Sequence, residues 1–302
     1  MNDQQMIQEI LRLKKEKNAV ILVHNYQRSE IQELADHLGD SLGLSRIASE
    51  TRADIIVFCG VRFMAETAKI LSPDKKVLLP HQAAGCPMAE MVSAADLKAL
   101  KKVHPQAMVV TYVNSTAEVK AETDVCCTSA NAITVVKKVP AKEIIFVPDK
   151  NLAAYVQRFT DKKIIPWDGY CYVHDQFTTE EVKQAKAAHP EAVLMVHPEC
   201  PPEVIDLADE VLSTSGMVTF ARQNQATQFL VGTEEGMLHR LKKENPEKQF
   251  WTAGPAKTCR GMKNTRLNDL HQALLREQFE INLPEQIMTR ARGALERMLY
   301  YV

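Results

Sequence analysis

HPQAMVVTYVNSTAEVKAETDVCCTSA (residues 104–130) and HPEAVLMVHPECPPEVIDLADEVLSTS (residues 189–215) align without a gap, and NAVILVHNYQRSEIQELADHLGDS (residues 18–41) follows the same plan. His24, Tyr112 and His197 occupy one position of this plan, and two residues on stand Tyr26, Asn114 and Glu199. Six residues on, all three copies have Glu (Glu30, Glu118, Glu203), and twelve on all have Asp (Asp36, Asp124, Asp209). Seventeen on, each has a hydroxyl: Ser41, Ser129 and Thr214. Each copy then runs on to one cysteine: Cys86, Cys171 and Cys259. An internal triplication brings equivalent loops together around a pseudo-threefold axis, so one cysteine per copy predicts three thiolates converging there.

Each copy opens with a short, fully apolar run, AVILV at 19–23, AMVVTYV at 107–113 and AVLMV at 192–196, as expected of buried parallel strands. A helical segment carrying the shared Glu and Asp comes next, then a second strand and a helix beginning at or just after the hydroxyl, which makes Ser41, Ser129 and Thr214 N-cap candidates. A third strand, a further helix and a last strand (KKVLLP, KKIIPW, KQFWTA) complete each copy before the cysteine loop. Alternating strands and helices predict an α/β fold: three homologous domains with parallel sheets around the axis, and the site in a central tunnel beyond the strand ends. The expected boundaries are 1–102 with an N-terminal helix, 103–187, 188–265, and a non-repeated tail at 266–302. Two amphipathic helices, at 266–279 and 284–299, are expected in the tail, packing back on the first domain beside the N-terminal helix.

The bulk numbers narrow the function. With 302 residues the chain can hold two or three domains, and 45% apolar and 25% charged residues describe an ordinary soluble protein. A net charge of −1 without a basic run argues against a nucleic-acid partner. No apolar run is long enough to span a membrane, and the first eighteen residues read as an amphipathic helix, not a signal peptide. A cytoplasmic, reducing compartment is expected, so the seven cysteines read as free thiols or metal ligands.

Three convergent cysteines suit a metal centre with one coordination position left open. Zinc accepts three thiolates, but such sites usually add a histidine and use local CxxC pairs, which this chain lacks. Spacings of 85 and 88 residues suit a centre assembled between domains, such as a [4Fe–4S] cluster with one open iron able to act as a Lewis acid. A lone cysteine is more often a small buried hydrophobe, and Cys59, Cys126 and Cys127 take that reading. So does Cys200, although it adjoins Glu199 and so falls within reach of the site. The six polar residues His24, Tyr26, Tyr112, Asn114, His197 and Glu199 form a ring that would be costly to bury without a ligand. With the hydroxyls at helix starts, where backbone N–H groups favour anions, they predict a small dianion or an oxygen-rich metabolite. The shared Glu residues read as solvated or capping. The shared Asp residues read as structural, tying helix to strand through backbone hydrogen bonds.

VHNYQ at 23–27, GDS at 39–41, AGCPMAEM at 84–91, YVNS at 112–115, WDGYC at 167–171, HPEC at 197–200, STSGM at 213–217 and AGPAKTCRGMKNT at 253–265 closely resemble the quinolinate synthase family over essentially the whole chain. The resemblance implies a triangle of three α/β domains with a [4Fe–4S] cluster at the bottom of a central tunnel. It implies condensation of iminoaspartate (iminosuccinate) with dihydroxyacetone phosphate to quinolinate, releasing phosphate and two waters. It further implies cluster ligation by Cys86, Cys171 and Cys259. The iminoaspartate-derived part would be held by His24, Ser41, Tyr112, Asn114, Ser129, His197, Glu199 and Thr214. Tyr26 and Glu199 are the best acid–base candidates, with His24, His197 and Tyr112 beside them. Transient contact with the enzyme supplying iminoaspartate is a further expectation. Some members carry a CxxCxxC run at the last ligand. Here TCRGMKNT holds only Cys259, which fits a shorter form without a thiol switch. Two other readings stay open: another open-cluster hydro-lyase acting on a small dicarboxylate, and a non-enzymatic iron–sulfur sensor.

Overall fold

The computed structural model describes residues 1–301. The apolar runs form three four-stranded sheets. The first comprises β1 (Ala19–His24), β2 (His37–Gly39), β3 (Ile55–Cys59) and β4 (Lys76–Leu78). The second comprises β5 (Met108–Tyr112), β6 (Val125–Cys127), β7 (Glu143–Val147) and β8 (Lys163–Pro166). The third comprises β9 (Val193–Val196), β10 (Glu210–Val211), β11 (Gln228–Gly232) and β12 (Gln249–Thr252). Strand order repeats as β2-β1-β3-β4, β6-β5-β7-β8 and β10-β9-β11-β12, and every pairing is parallel. The expected α/β fold with three homologous parallel sheets is what the chain forms.

The central strands β3, β7 and β11 are buried nearly throughout because helices cover both faces. One face of each sheet joins a single large core shared by all three repeats. The opposite faces make three smaller cores, one of them lined by Ile10 and Leu13 of the helix Asp3–Glu16 and by Leu270 and Leu274 of the helix Leu267–Arg276.

The shared Asp has the same task in each copy. Asp36 Oδ2 accepts the Ile21 N–H at 2.8 Å, Asp124 Oδ2 the Val109 N–H at 2.7 Å, and Asp209 Oδ2 the Leu194 N–H at 2.8 Å. The main-chain N–H of each Asp returns a bond to the carbonyl of that same strand residue. This double clasp fixes the register between the first two strands of each sheet. Glu118 and Glu203 are exposed and Glu30 half-buried, away from the interior.

Two expectations need correction. The hydroxyls do not cap helices. Asp40 and Ser213 do so, accepting the N–H of Gly43 and Gly216, which leaves Ser41 and Thr214 as the first helical residues. Ser129 lies in a turn ahead of the helix Ala132–Lys138, where the Asn131 side chain accepts the Thr128 N–H instead. Released from capping, the Ser129 hydroxyl lies 3.2 Å from His197 Nε2. The tail also behaves in two ways. The helix Leu267–Arg276 lies on the N-terminal helix, but the helix Glu285–Tyr300 packs on β6 and on the helices Ala117–Lys120 and Arg62–Leu71, bridging the first and second repeats. Its apolar stripe, Ala291, Ala294, Leu295 and Met298, is fully buried there. Among the described residues, no helix is long and apolar enough to cross a membrane.

Candidate active site

The carboxyl ends of β1, β5 and β9 point at one shared cavity. His24 and Tyr112 end β1 and β5, and His197 directly follows β9, so the repeat places three side chains on one rim. All twelve residues singled out from the sequence line this cavity: His24, Tyr26, Ser41, Cys86, Tyr112, Asn114, Ser129, Cys171, His197, Glu199, Thr214 and Cys259. Cys200 does not. It points into the core of the third sheet, with Sγ 3.5 Å from Gly232 O, because the turn after β9 directs it away from Glu199.

The structure adds residues that repeat logic could not find. His174 sits three residues after Cys171, where the other copies have Ala89 and Met262, so no repeat equivalence marks it. It is buried, stacked on His197 with ring centroids 4.4 Å apart, and its Nδ1 lies 2.5 Å from Glu199 Oε2 as an ion-pair contact. Its Nε2 is 2.8 Å from Thr233 Oγ1, and Thr233 Oγ1 is 2.6 Å from the Tyr26 hydroxyl. A chain of contacts thus runs from Tyr26 through Thr233 and His174 to Glu199: hydrogen bonds as far as His174, then the ion-pair contact, since His174 Nδ1 has no hydrogen-bond partner; Glu199 Oε2 also lies 3.3 Å from His197 Nδ1. The only sequence signal for His174 was its Cys-x-x-His spacing in CYVH; Thr233 had none.

Electrostatics divide these groups. Burial acts to raise the Glu199 carboxyl, but the imidazoles of His174 and His197 outweigh it and hold the group well below the usual carboxylate range. Burial, reinforced by the Glu199 charge, keeps the Tyr26 and Tyr112 phenols well above their usual value and so protonated. Burial pushes His24 down to about 3, so it is neutral. Its Nδ1 accepts the Tyr26 N–H at 3.1 Å, which leaves the ring's proton on Nε2.

Opposite, Asn25 Nδ2 donates to Thr214 Oγ1 at 2.8 Å and is itself oriented by Arg240, which donates to Asn25 Oδ1 at 2.7 Å. With its oxygen already accepting, Thr214 has its hydroxyl proton free for a ligand. Ser41 and Thr214 open ten-residue helices and line the same cavity, so two helix N-termini begin at its wall. Asn114 Oδ1 and Glu199 Oε1 are buried without a hydrogen-bond partner, the mark of a polar surface built for something else to complete.

The three thiols share the cavity and form no disulfide. Burial pushes Cys86 up to about 12 and raises Cys171 and Cys259, with Glu199 and the neighbouring thiols adding to the effect at Cys171. Nothing in the protein ionises them, although they are gathered in one place. A bound cation would reverse that balance, so the donor set fits a metal centre. Cys171, His174 and Glu199 also bring one ligand atom each within 4.8 Å of one another.

Fold and site together define a three-repeat α/β enzyme whose buried chemistry lies between its repeats. A family described as quinolinate synthetase A protein matches residues 8–300. Quinolinate synthase of Methanoregula boonei is 55% identical over 300 residues, covering 99% of each chain. The enzymes of Alkaliphilus metalliredigens (53%, 99% of each chain) and Thermodesulfovibrio yellowstonii (55%, 97% of each chain) carry the same name. The chain belongs to the quinolinate synthetase A protein family.

Proposed function

We propose that this chain condenses iminoaspartate with dihydroxyacetone phosphate to give quinolinate, phosphate and two waters, a step toward NAD. The three repeats act as three domains whose equivalent loops share one substrate. Cys86, Cys171 and Cys259 would hold a [4Fe–4S] cluster. When bound, it supplies an iron with a free coordination position, able to polarise a hydroxyl or carboxylate oxygen.

The protein's own groups divide the remaining work. The N–H groups of two helix starts, with the Ser41 and Thr214 hydroxyls, suit the carboxylates and phosphate of the substrates. Asn114 completes the acceptor set, and neutral His24 offers Nε2–H to an oxygen. Glu199, kept ionised by two imidazoles, accepts a proton as carbon–carbon or carbon–nitrogen bonds form. Tyr26, kept protonated, donates one to a departing hydroxyl. The Thr233–His174 bridge between them gives the proton a route back, so that the pair resets without solvent.

The observation that supports this reading best is the single cavity in which three thiols face the Tyr26–Thr233–His174–Glu199 chain. The test is anaerobic reconstitution with iron and sulfide, then assay of quinolinate from iminoaspartate plus dihydroxyacetone phosphate, with both elements counted on the same sample. Cluster-dependent quinolinate is expected. A loaded cluster without quinolinate would overturn the substrate assignment in favour of another dicarboxylate dehydration. Failure to bind iron and sulfide would overturn the cofactor.

A further inference from the structure

Each cysteine loop follows the fourth strand of its sheet and meets the turn that follows the third strand. All three repeats fasten these segments with the same main-chain hydrogen bond. Arg62 N–H donates to Ala84 O at 2.8 Å, Lys150 N–H to Gly169 O at 2.8 Å, and Glu235 N–H to Lys257 O at 3.0 Å. The acceptor stands two residues before the cysteine every time. One residue ahead of the donor, the copies diverge. The second has Asp149, fully buried, whose Oδ2 accepts the Cys171 N–H at 3.1 Å while Oδ1 accepts the Leu152 N–H at 2.6 Å. The third has Glu234, also fully buried, whose Oε1 accepts the Cys259 N–H at 3.0 Å while Oε2 accepts the Gly236 N–H at 2.7 Å. Lys263 pairs with the same carboxylate at 3.0 Å. The first copy has Val61, and among the described residues the Cys86 N–H makes no hydrogen bond. That loop is wedged instead against its neighbour: Gly261 lies so close to the Gly85 carbonyl oxygen that a Cβ there would collide with it.

We propose that Asp149 and Glu234 are positioning residues, latches that hold the Cys171 and Cys259 loops in the conformation a metal centre requires, and that the unlatched Cys86 loop is the first to release it. This rests on the reading of the three cysteines as ligands of one centre. A single main-chain bond lets a loop pivot. A second bond two residues along, to the cysteine's own N–H, fixes the direction of its Cα–Cβ bond. Charge alone does not account for a carboxylate here, because a negative group beside a thiolate disfavours the thiolate. Acceptor capacity does. Both oxygens of each group accept N–H bonds, and an amide would turn an NH₂ toward one of those donors. Burying such a group is costly unless its bonds are made, and in both copies they are.

The first arm of the test needs no metal. Selective ¹⁵N-cysteine labelling gives seven amide signals, one per cysteine. In the metal-free chain, the Cys171 and Cys259 amides should exchange with solvent about tenfold or more slowly than that of Cys86, the scale of one hydrogen bond. D149N should release protection at Cys171 alone, and E234Q at Cys259 alone. In the second arm the reconstituted proteins meet an iron chelator. D149N and E234Q should lose iron about tenfold faster than the parent chain. D124N, which removes a carboxylate-to-backbone bond of the same kind away from the cysteine loops, should lose it at the parent rate. D149E and E234D keep the carboxyl group and displace the acceptor; they should show the same loss in weaker form, and they stand in if the amide variants do not fold. Equal protection of all three ligand amides, parent-like iron loss in D149N and E234Q, or equally fast loss in D124N would each overturn the latches. A parent chain that takes up no iron and sulfide would instead sink the cluster reading, leaving the exchange arm intact.

Discussion

At the strand-end position the third repeat presents His197 and, two residues on, Glu199; the second presents Tyr112 and Asn114. The third-repeat wall is wired. Glu199 touches two imidazoles, and through His174 and Thr233 it reaches Tyr26 on the wall of the first repeat. The second-repeat wall meets the wired wall through Ser129 Oγ, 3.2 Å from His197 Nε2, but is left open at Asn114, whose Oδ1 is buried and without a partner. One ancestral loop has thus become a proton-handling wall in one copy and a recognition wall in another, by changes at two positions two residues apart. Variants on the wired wall should therefore act on turnover, and variants on the open wall on binding.

The sharpest break of that contrast is Glu199→Gln. It keeps shape and cavity but removes the carboxylate, so kcat should fall by about a thousandfold, within the usual range for losing a general acid–base group. Iron and sulfide content should stay at the parent level, measured on the same preparation. Unchanged turnover would remove Glu199 from proton transfer. Thr233→Val comes next. It breaks the bridge between Tyr26 and His174 while touching no expected ligand position, so kcat should fall about tenfold with little change in KM, roughly the effect of one hydrogen bond. A KM effect instead would mean that Thr233 shapes the pocket and does not pass protons.

How far these walls could be read in the sequence follows from the same comparison. Triplication exposed every residue that has a counterpart: His24, Tyr112 and His197, their neighbours two residues on, the hydroxyls and the cysteines. It was silent where a copy had departed from the plan. His174 stands alone among Ala89 and Met262, and Thr233 among Gly60 and Pro148, so the chain that links Tyr26 to Glu199 consists of residues with no echo. Capping was misassigned for a related reason. Asp40 and Ser213 lie one residue before the repeated hydroxyl, and both are good caps, so only the backbone conformation at the helix start decides between them. The bridging position of the last helix was beyond reach as well, since the apolar stripe of Glu285–Tyr300 says that it is covered but not by which repeat.

On the open wall, Asn114→Ala should raise KM about tenfold and leave kcat near the parent value, because it removes a contact made equally before and during reaction. Equilibrium binding of a dicarboxylate inhibitor should weaken in parallel. A large loss of kcat with unchanged KM would make the second wall part of the acid–base machinery and erase the distinction.

The smallest effect is on stability, and it concerns His24 on the first wall. His24 is held neutral by burial, pushed from 6.5 down to about 3, with His197 adding to the effect and the Glu199 charge only partly opposing it. Between those values the unfolded chain binds a proton that the folded chain refuses, so ∂ΔG/∂pH of unfolding is positive there. The stability tied to a neutral His24 is complete above pH 6.5 and is lost progressively as pH falls toward 3. The slope from one such group approaches about 1.4 kcal/mol per pH unit at most. Denaturant midpoints of the metal-free chain, taken from pH 7.5 to 4.5, measure it without acid loss of bound metal. His24→Gln retains an acceptor for the Tyr26 N–H but cannot titrate, so its midpoint should fall less steeply with acid than that of the parent chain. Parallel curves would mean that His24 titrates in the fold as it does in the unfolded chain, and burial would then not be what holds it neutral.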